Sequence, residues 1–290
     1  MGEPTLSARD VLGLMQELGL RPRKELGQHF LTDQRALTRI VAAAELTGND
    51  VVIVVGAGLG SLTHLLAQAA GRVIAVELDR GLATALSRLL DQEQGVSIVQ
   101  ADILQLSPAD LLSQSQLAPD IPYLVVGNLP YGITSAVLRH FLEAEHRPQR
   151  LVVTVQREVA RRITAPPGRM SLLAVSVQFY GRPQIVLRLK PGAFYPRPRV
   201  SSAVIRIDCY KDLPLRVEDV TRFFRIVRAG FAQRRKQIHN SLAADLALAD
   251  DQVRVALEDA GIDPRRRAQS LSLAEWAALY HTLSAIAGTS

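Results

Sequence analysis

Val51-Val-Ile-Val-Val-Gly-Ala-Gly-Leu-Gly60 decides the fold. A run of β-branched and apolar residues is a strand covered on both faces, and the glycines at 56, 58 and 60 end it in a tight turn that opens a helix. Working outward, apolar runs recur at Val73–Val76, Val96–Val99, Tyr123–Val126 and Leu151–Val155. Helical stretches near Leu62–Ala70, Leu82–Leu90, Ser107–Leu112 and Ser135–Glu143 separate them. This alternation predicts an α/β chain with a doubly wound parallel sheet. Ile185–Leu189 and Ala203–Ile207 are a closing pair of strands, with the loop Pro191–Pro198 between them. Upstream, Leu37, Ile40, Val41 and Ala44 recur at helical spacing, and Ser7 is placed to cap a short helix carrying Val11, Leu14, Met15 and Leu18. From about Pro214 the pattern is helical: Phe223, Ile226, Val227 and Phe231 share one face, Val253, Leu257 and Ile262 another, and Leu273, Trp276, Leu279 and Leu283 a third. Two domains are expected, residues 1–210 and a smaller all-α domain over 211–290 that ends in a frayed tail, Ala287–Ser290.

The composition is that of an ordinary globular protein: 290 residues, 48% hydrophobic and 21% charged. No apolar run approaches the ~20 residues of a membrane span, and the N-terminus lacks a secretory signal pattern. Cys209 is the only cysteine, so neither an internal disulfide nor a cysteine metal cluster can form, and a reducing cytoplasm fits. The formal charge of +6 favours a polyanionic partner. The basic residues are almost all arginine, whose fork suits phosphates and stacked bases; the lysines are Lys24, Lys190, Lys211 and Lys236.

Four segments carry the chemistry. The glycine loop lets a ligand approach backbone N–H groups at a helix N-terminus. A dinucleotide fingerprint would want glycine at 61, where Ser61 stands, so the tighter loop suits a ligand without a pyrophosphate. Glu77, at the end of the next strand, is placed to accept both hydroxyls of a ribose, although Glu77 and Asp79 would equally suit a helix N-terminus. Asp102 is placed to accept from an adenine amine, or to start a turn. Gly127-Asn-Leu-Pro-Tyr131 closes the set at the sheet edge where ligands bind. The lone pair of an adenine N6 amine is delocalised into its ring. Acceptors at the Asn128 amide oxygen and the Leu129 carbonyl would draw its two hydrogens and pivot that lone pair out of conjugation. Tyr131 would stack on the base.

Asn128-Leu-Pro-Tyr-Gly-Ile-Thr-Ser135 resembles the motif of rRNA adenine N6-dimethyltransferases, and in particular their KsgA-type small-subunit group. Gly27-Gln-His-Phe-Leu31, Gln156-Arg-Glu-Val159 and Phe194-Tyr-Pro-Arg-Pro-Arg-Val-Ser-Ser-Ala-Val204 match it too, so the resemblance runs from about residue 21 to 243. It implies a Rossmann-like methyltransferase sheet, S-adenosylmethionine as cofactor and no metal. It implies a cofactor site of Gln28, His29, Leu31, Gly56, Gly58, Glu77, Asp102 and Asn128. It makes Tyr131 and Phe194 the aromatic pair that sandwiches the target base, beside Asn128 and Leu129. The substrate it implies is two adjacent adenosines near the 3′ end of 16S rRNA, within a pre-assembled small subunit, for a cytoplasmic enzyme that acts as a monomer.

Three positions depart from the family pattern: Val54 stands where an acid is usual, Ala165–Arg169 is a short loop, and Gln269 replaces an expected Glu. Arg23 and Lys24, with Arg21, form one basic cluster, Arg234, Arg235 and Lys236 a second, and Arg265–Arg267 a third, all expected to meet RNA phosphates. Three other readings compete. A resistance methyltransferase of large-subunit rRNA shares the chemistry but more often carries Asn-Ile-Pro-Tyr. A non-catalytic nucleic-acid-binding relative would not need Asn128 and Tyr131. An NAD-dependent oxidoreductase is disfavoured by Ser61.

Overall fold

The computed structural model describes residue 13 and residues 15–287. Ser7, Val11 and Leu14 of the expected first helix, and Gly288–Ser290 of the expected tail, lie outside the described residues. Two compact units divide the chain: residues up to Ala160 together with Arg182–Cys209, and Arg161–Gly181 together with Tyr210 onward.

The first unit holds a seven-stranded sheet in the order β4-β3-β2-β5-β6-β9-β7. Its strands are β2 (Val51–Val55), β3 (Arg72–Glu77), β4 (Val96–Gln100), β5 (Tyr123–Asn128), β6 (Arg150–Gln156), β7 (Gly181–Leu189) and β9 (Ser202–Cys209). β2 through β6 run parallel, and β9 returns antiparallel to β6. The chain winds outward from β2 to β4 and then crosses back to β5, so the switch point lies between β2 and β5. In a doubly wound sheet, the crevice at the carboxyl ends of those two strands is where a ligand sits. Every residue of β2 is buried, as a strand covered by helices on both faces requires. Helix starts follow from local capping: Asp33 accepts from Ala36 N–H, Asp79 from Leu82 N–H, and Ser107 forms a reciprocal capping box with Asp110.

The sequence did not signal a second, two-stranded ladder, β1 (Phe30–Leu31) with β8 (Phe194–Tyr195), which pairs Phe30 with Tyr195 and Leu31 with Phe194. A two-residue strand has no periodicity to detect.

The helical unit also takes in residues 161–181, which a single cut near 210 assigns to the sheet. The cause is apolar. The helix Leu172–Tyr180 stacks Phe179 on Phe223, with ring centroids 4.9 Å apart, and sets Tyr180 beside Phe224. Two of the departures from the family pattern meet in this unit: Gly168 and Met170 N–H both donate to the Gln269 carbonyl at 3.0 Å. Trp276 is fully buried against Phe231 and lies over Gly230, in the last turn of the helix Val220–Ala232. Among the described residues, no helix is long and apolar enough to cross a membrane.

A Cβ at Gly230 would stand 2.4 Å from the Trp276 ring. Alanine gains about 0.5–1 kcal/mol in helix propensity over glycine, but overpacking a core costs about 1–3 kcal/mol. Gly230→Ala should therefore lower the urea midpoint of unfolding. An unchanged or raised midpoint would show that the ring yields freely.

Candidate active site

The register of the parallel strands assembles the site. Val55 is opposite Val76 on one side and Gly127 on the other, so the next residues, Gly56, Glu77 and Asn128, leave the sheet at one level. Gly127 has to be glycine there, since a Cβ would stand 2.5 Å from the Val55 carbonyl oxygen.

Gly56, Gly58 and Gly60 all adopt positive φ, from +59° to +84°. A Cβ on Gly58 would also press the Phe30 ring at 3.1 Å. The Gly58 N–H donates to Glu77 Oε2 at 2.8 Å, and the Asp79 N–H donates to Oε1 at 2.9 Å. Each carboxylate oxygen is thus fixed by one backbone donor and keeps a lone pair for a hydroxyl. Glu77 is only 7% exposed, and burial raises its pKa against the pull of those two donors. Asp102 follows β4. Its Oδ1 accepts from Leu104 N–H at 3.0 Å, and Ala101 N–H donates to the Glu77 carbonyl.

Asn128 ends β5. Its Nδ2 donates to the His29 carbonyl at 2.7 Å, which fixes the amide and leaves Oδ1 with no hydrogen-bond partner among the described residues. Leu129 buries its side chain and anchors its N–H on the Thr154 carbonyl. Pro130 then leads into a 3-10 turn, Tyr131–Ile133. The Tyr131 hydroxyl lies 2.6 Å from Ser202 Oγ, a buried hydroxyl on β9. His29 stacks on Tyr131 at 5.7 Å between ring centroids, while its Nδ1 lies 2.7 Å from the Pro196 carbonyl.

Gln28, His29, Gly56, Gly58, Glu77, Asp102, Asn128, Leu129 and Tyr131 all line a single cleft. Leu31 does not; it borders a small neighbouring cavity with Gly56, Gly58 and Asn128. Phe194 faces neither. It is 3% exposed and packs into the apolar core with Leu31 and Leu37, because the β1/β8 pairing turns it inward. The ring beside Tyr131 is therefore His29, not Phe194. Val54 is fully buried in the same apolar cluster, so an uncharged wall replaces the expected acid. Ser202 and Pro196 fall within the Phe194–Val204 motif, but their contacts with Tyr131 and His29 are not legible in it. Cys209 takes no part: burial pushes its thiol up to about 12.

The basic clusters separate. Arg23 pairs with Asp79 at 3.1 Å, and its N–H donates to Gln28 Oε1. Lys24 is exposed beside the cleft. Arg234, Arg235 and Lys236 are all exposed in the turn between the helices Val220–Ala232 and Ile238–Leu246. The third cluster is largely engaged in holding its own unit: Arg265 pairs with Asp263, and Arg266 with Glu275, whose carboxyl it holds down to about 2.

Comparison with known proteins gives a consistent result. A family model described as ribosomal RNA adenine dimethylase matches residues 19–285. The Ribosomal RNA small subunit methyltransferase A of Dehalococcoides mccartyi is 47% identical over 275 residues, 95% of this chain and 92% of the relative. The crystal structure of the 23S rRNA methyltransferase ErmE superposes with a TM-score of 0.70 at 30% identity, covering 88% of this chain and 99% of that one. A dimethyladenosine transferase from Plasmodium falciparum superposes at 0.71 with 18% identity, a likeness of fold, over 86% of this chain and 95% of its own.

A raised Glu77 pKa fixes the sign of a pH effect. Ribose hydroxyls donate to the carboxylate, so protonation removes their acceptor. Calorimetric affinity for S-adenosylmethionine should fall as pH drops through a window above the ordinary carboxylate range, and Glu77→Gln should bind weakly with no such slope. Without ligand the sign reverses: the buried charge costs stability above the folded pKa, so acidification through that window should stabilise the protein. Affinity flat across the window in the wild type would remove Glu77 from the ligand site.

Proposed function

The chain belongs to the ribosomal RNA adenine dimethylase family, and from that premise we propose that it dimethylates the N6 amines of two adjacent adenosines near the 3′ end of 16S rRNA, within a pre-assembled small subunit, as a cytoplasmic monomer. The methyl donor is S-adenosylmethionine. The observation that carries the reading is the Asn128 amide, held through Nδ2 with its Oδ1 unpartnered among the described residues, in the crevice beside Leu129.

The residues fit the donor. The positive-φ glycines give a ligand close access to backbone, and Glu77 offers a fixed carboxylate to a ribose. Asp102 lies further along the same cleft for an adenine amine. When bound, S-adenosylmethionine supplies a methyl carbon made electrophilic by its sulfonium. The protein's task is alignment, which can be worth about 7–11 kcal/mol of barrier. Asn128 Oδ1 and the Leu129 carbonyl accept the two amine hydrogens and turn the nitrogen lone pair out of the ring plane. Tyr131, tethered by Ser202, stacks on a base taken out of its helix. The methylated ammonium then loses its proton to solvent, so no strong base is required beforehand.

His29 acts here as the ring at the mouth of the base site, and Phe194 supports the site from the apolar core, where it packs with Leu31. Arg23, Lys24, Arg234, Arg235 and Lys236 hold RNA phosphates. Small-subunit RNA is favoured over large-subunit RNA by the 47% identity to a small-subunit enzyme, against 30% to ErmE.

Labelled methyl groups should transfer to small subunits from a strain lacking this modification, and nuclease mapping should recover N6,N6-dimethyladenosine near the 3′ end of 16S rRNA. Label only on large subunits would reassign the substrate. Asn128→Ala should lower kcat on the order of 10²-fold or more while leaving the melting temperature in place; full activity in that variant would sink the mechanism. Replacing Arg234, Arg235 and Lys236 together by Gln should flatten the salt dependence of subunit binding, and an unaltered salt slope would free this turn from any RNA contact.

A further inference from the structure

A groove of about 1230 Å³ opens from the same cleft, with His29 and Tyr131 lining both. Small-molecule sites measure about 300–1,000 Å³, so this groove exceeds the needs of one base and suits a stretch of polymer. Its floor is apolar: the half-buried Tyr195 ring packs beside Met15, Leu20 and Phe30, and Pro196 and Pro198 continue the surface.

Its rim is cationic. Arg21, Lys24, Arg197 and Arg199 are exposed, and among the described residues none of the four takes part in an ion pair. A carboxylate is within reach of this neighbourhood, since Arg23 pairs with Asp79. The other four leave their charge toward the groove.

Gln156 adds hydrogen-bonding capacity. It ends β6, the strand next to β5, and lies opposite Ser202 in the register. The pleat therefore sets its side chain on the face of Ser202, beside the Tyr131–Ser202 hydrogen bond. Its amide has no partner among the described residues, although it lines the groove.

An apolar aromatic floor, an unengaged amide and unpaired cations, continuous with the slot of a flipped base, match the parts of an unstacked nucleotide: base face, base edge and phosphate. We propose that this groove is a subsite for the nucleotide next to the reacting adenosine. Tyr195 packs its base, Gln156 reads its base edge, and Arg197 and Arg199 hold its phosphates. The inference rests on the RNA-methylating reading above. It implies that the enzyme engages both adjacent adenosines at once, one in the slot and its neighbour in the groove.

The test uses the full chain, with small subunits as substrate. Replacing Arg197 and Arg199 together by Gln should raise KM on the order of tenfold, with the loss in KM rather than in kcat. The salt slope of binding should fall by about 1.4, at roughly 0.7 per phosphate contact in single-stranded RNA. Affinity for S-adenosylmethionine should stay at the wild-type value, which reports an intact fold. Wild-type enzyme should react more slowly with subunits carrying guanosine in place of the neighbouring adenosine, and Gln156→Ala should no longer distinguish the two. Unchanged KM and salt slope in the arginine variant, or undiminished discrimination by Gln156→Ala, would overturn the subsite while the methylation reading stands. Failure of the wild type to methylate any small subunit would overturn both.

Discussion

Val55 lies between Val76 and Gly127, and the rest of the site depends on that register. Parallel strands emerge from a sheet at heights set by their pairing, so fixing one pair fixes the exit of every side chain beyond it. Here the exit residues are a glycine with positive φ, a carboxylate and an amide. The close passage of Gly127 past the Val55 carbonyl keeps the amide near the glycine loop, and a Cβ on Gly56 would already touch the Asn128 carbonyl at 3.4 Å. Chemistry at this edge thus follows from backbone spacing before any side chain acts.

The polar groups at the edge are each immobilised by a bond that leaves one face open. Glu77 accepts two backbone N–H groups, Asn128 spends its Nδ2 on the His29 carbonyl, and Tyr131 is tied at its tip to Ser202. Preorganised acceptors of this kind do not have to be reoriented at the moment of reaction. Val54 fits the same economy. With no acid in the wall beneath the glycine loop, the carboxylates left at the crevice are Glu77 and Asp102, each already tied to backbone N–H groups.

Much of this was legible in the sequence because it resides in local signals. The five expected parallel strands, the glycine loop and Asn128-Leu-Pro-Tyr131 are contiguous, and each reads from periodicity or spacing. The helical extent of the last 80 residues was legible for the same reason. What escaped is non-local. Phe194 belongs to a matching motif, yet its burial depends on Leu31 lying across from it in a two-residue ladder. The membership of residues 161–181 depends on Phe179 meeting Phe223. Arg265 and Arg266 read as a charge run until Asp263 and Glu275 appear beside them. Ser202 lies in the same motif as Phe194, but its role at the tip of Tyr131 depends on β9 lying beside β6.

The contact of His29 with Pro196, which extends the β1/β8 ladder, joins residues 167 positions apart in sequence. Closing so long a loop costs chain entropy before it returns any contact, and contacts of large sequence separation form slowly. During synthesis the sheet strands through β6 can pair while residue 196 has yet to be added. The arm that carries Gln28 and His29 can meet Asn128 before then, but it gains the β8 ladder and the Pro196 carbonyl only afterwards. Competence in this enzyme is therefore a late event in its own folding, withheld until nearly the whole of the sheet unit has been made.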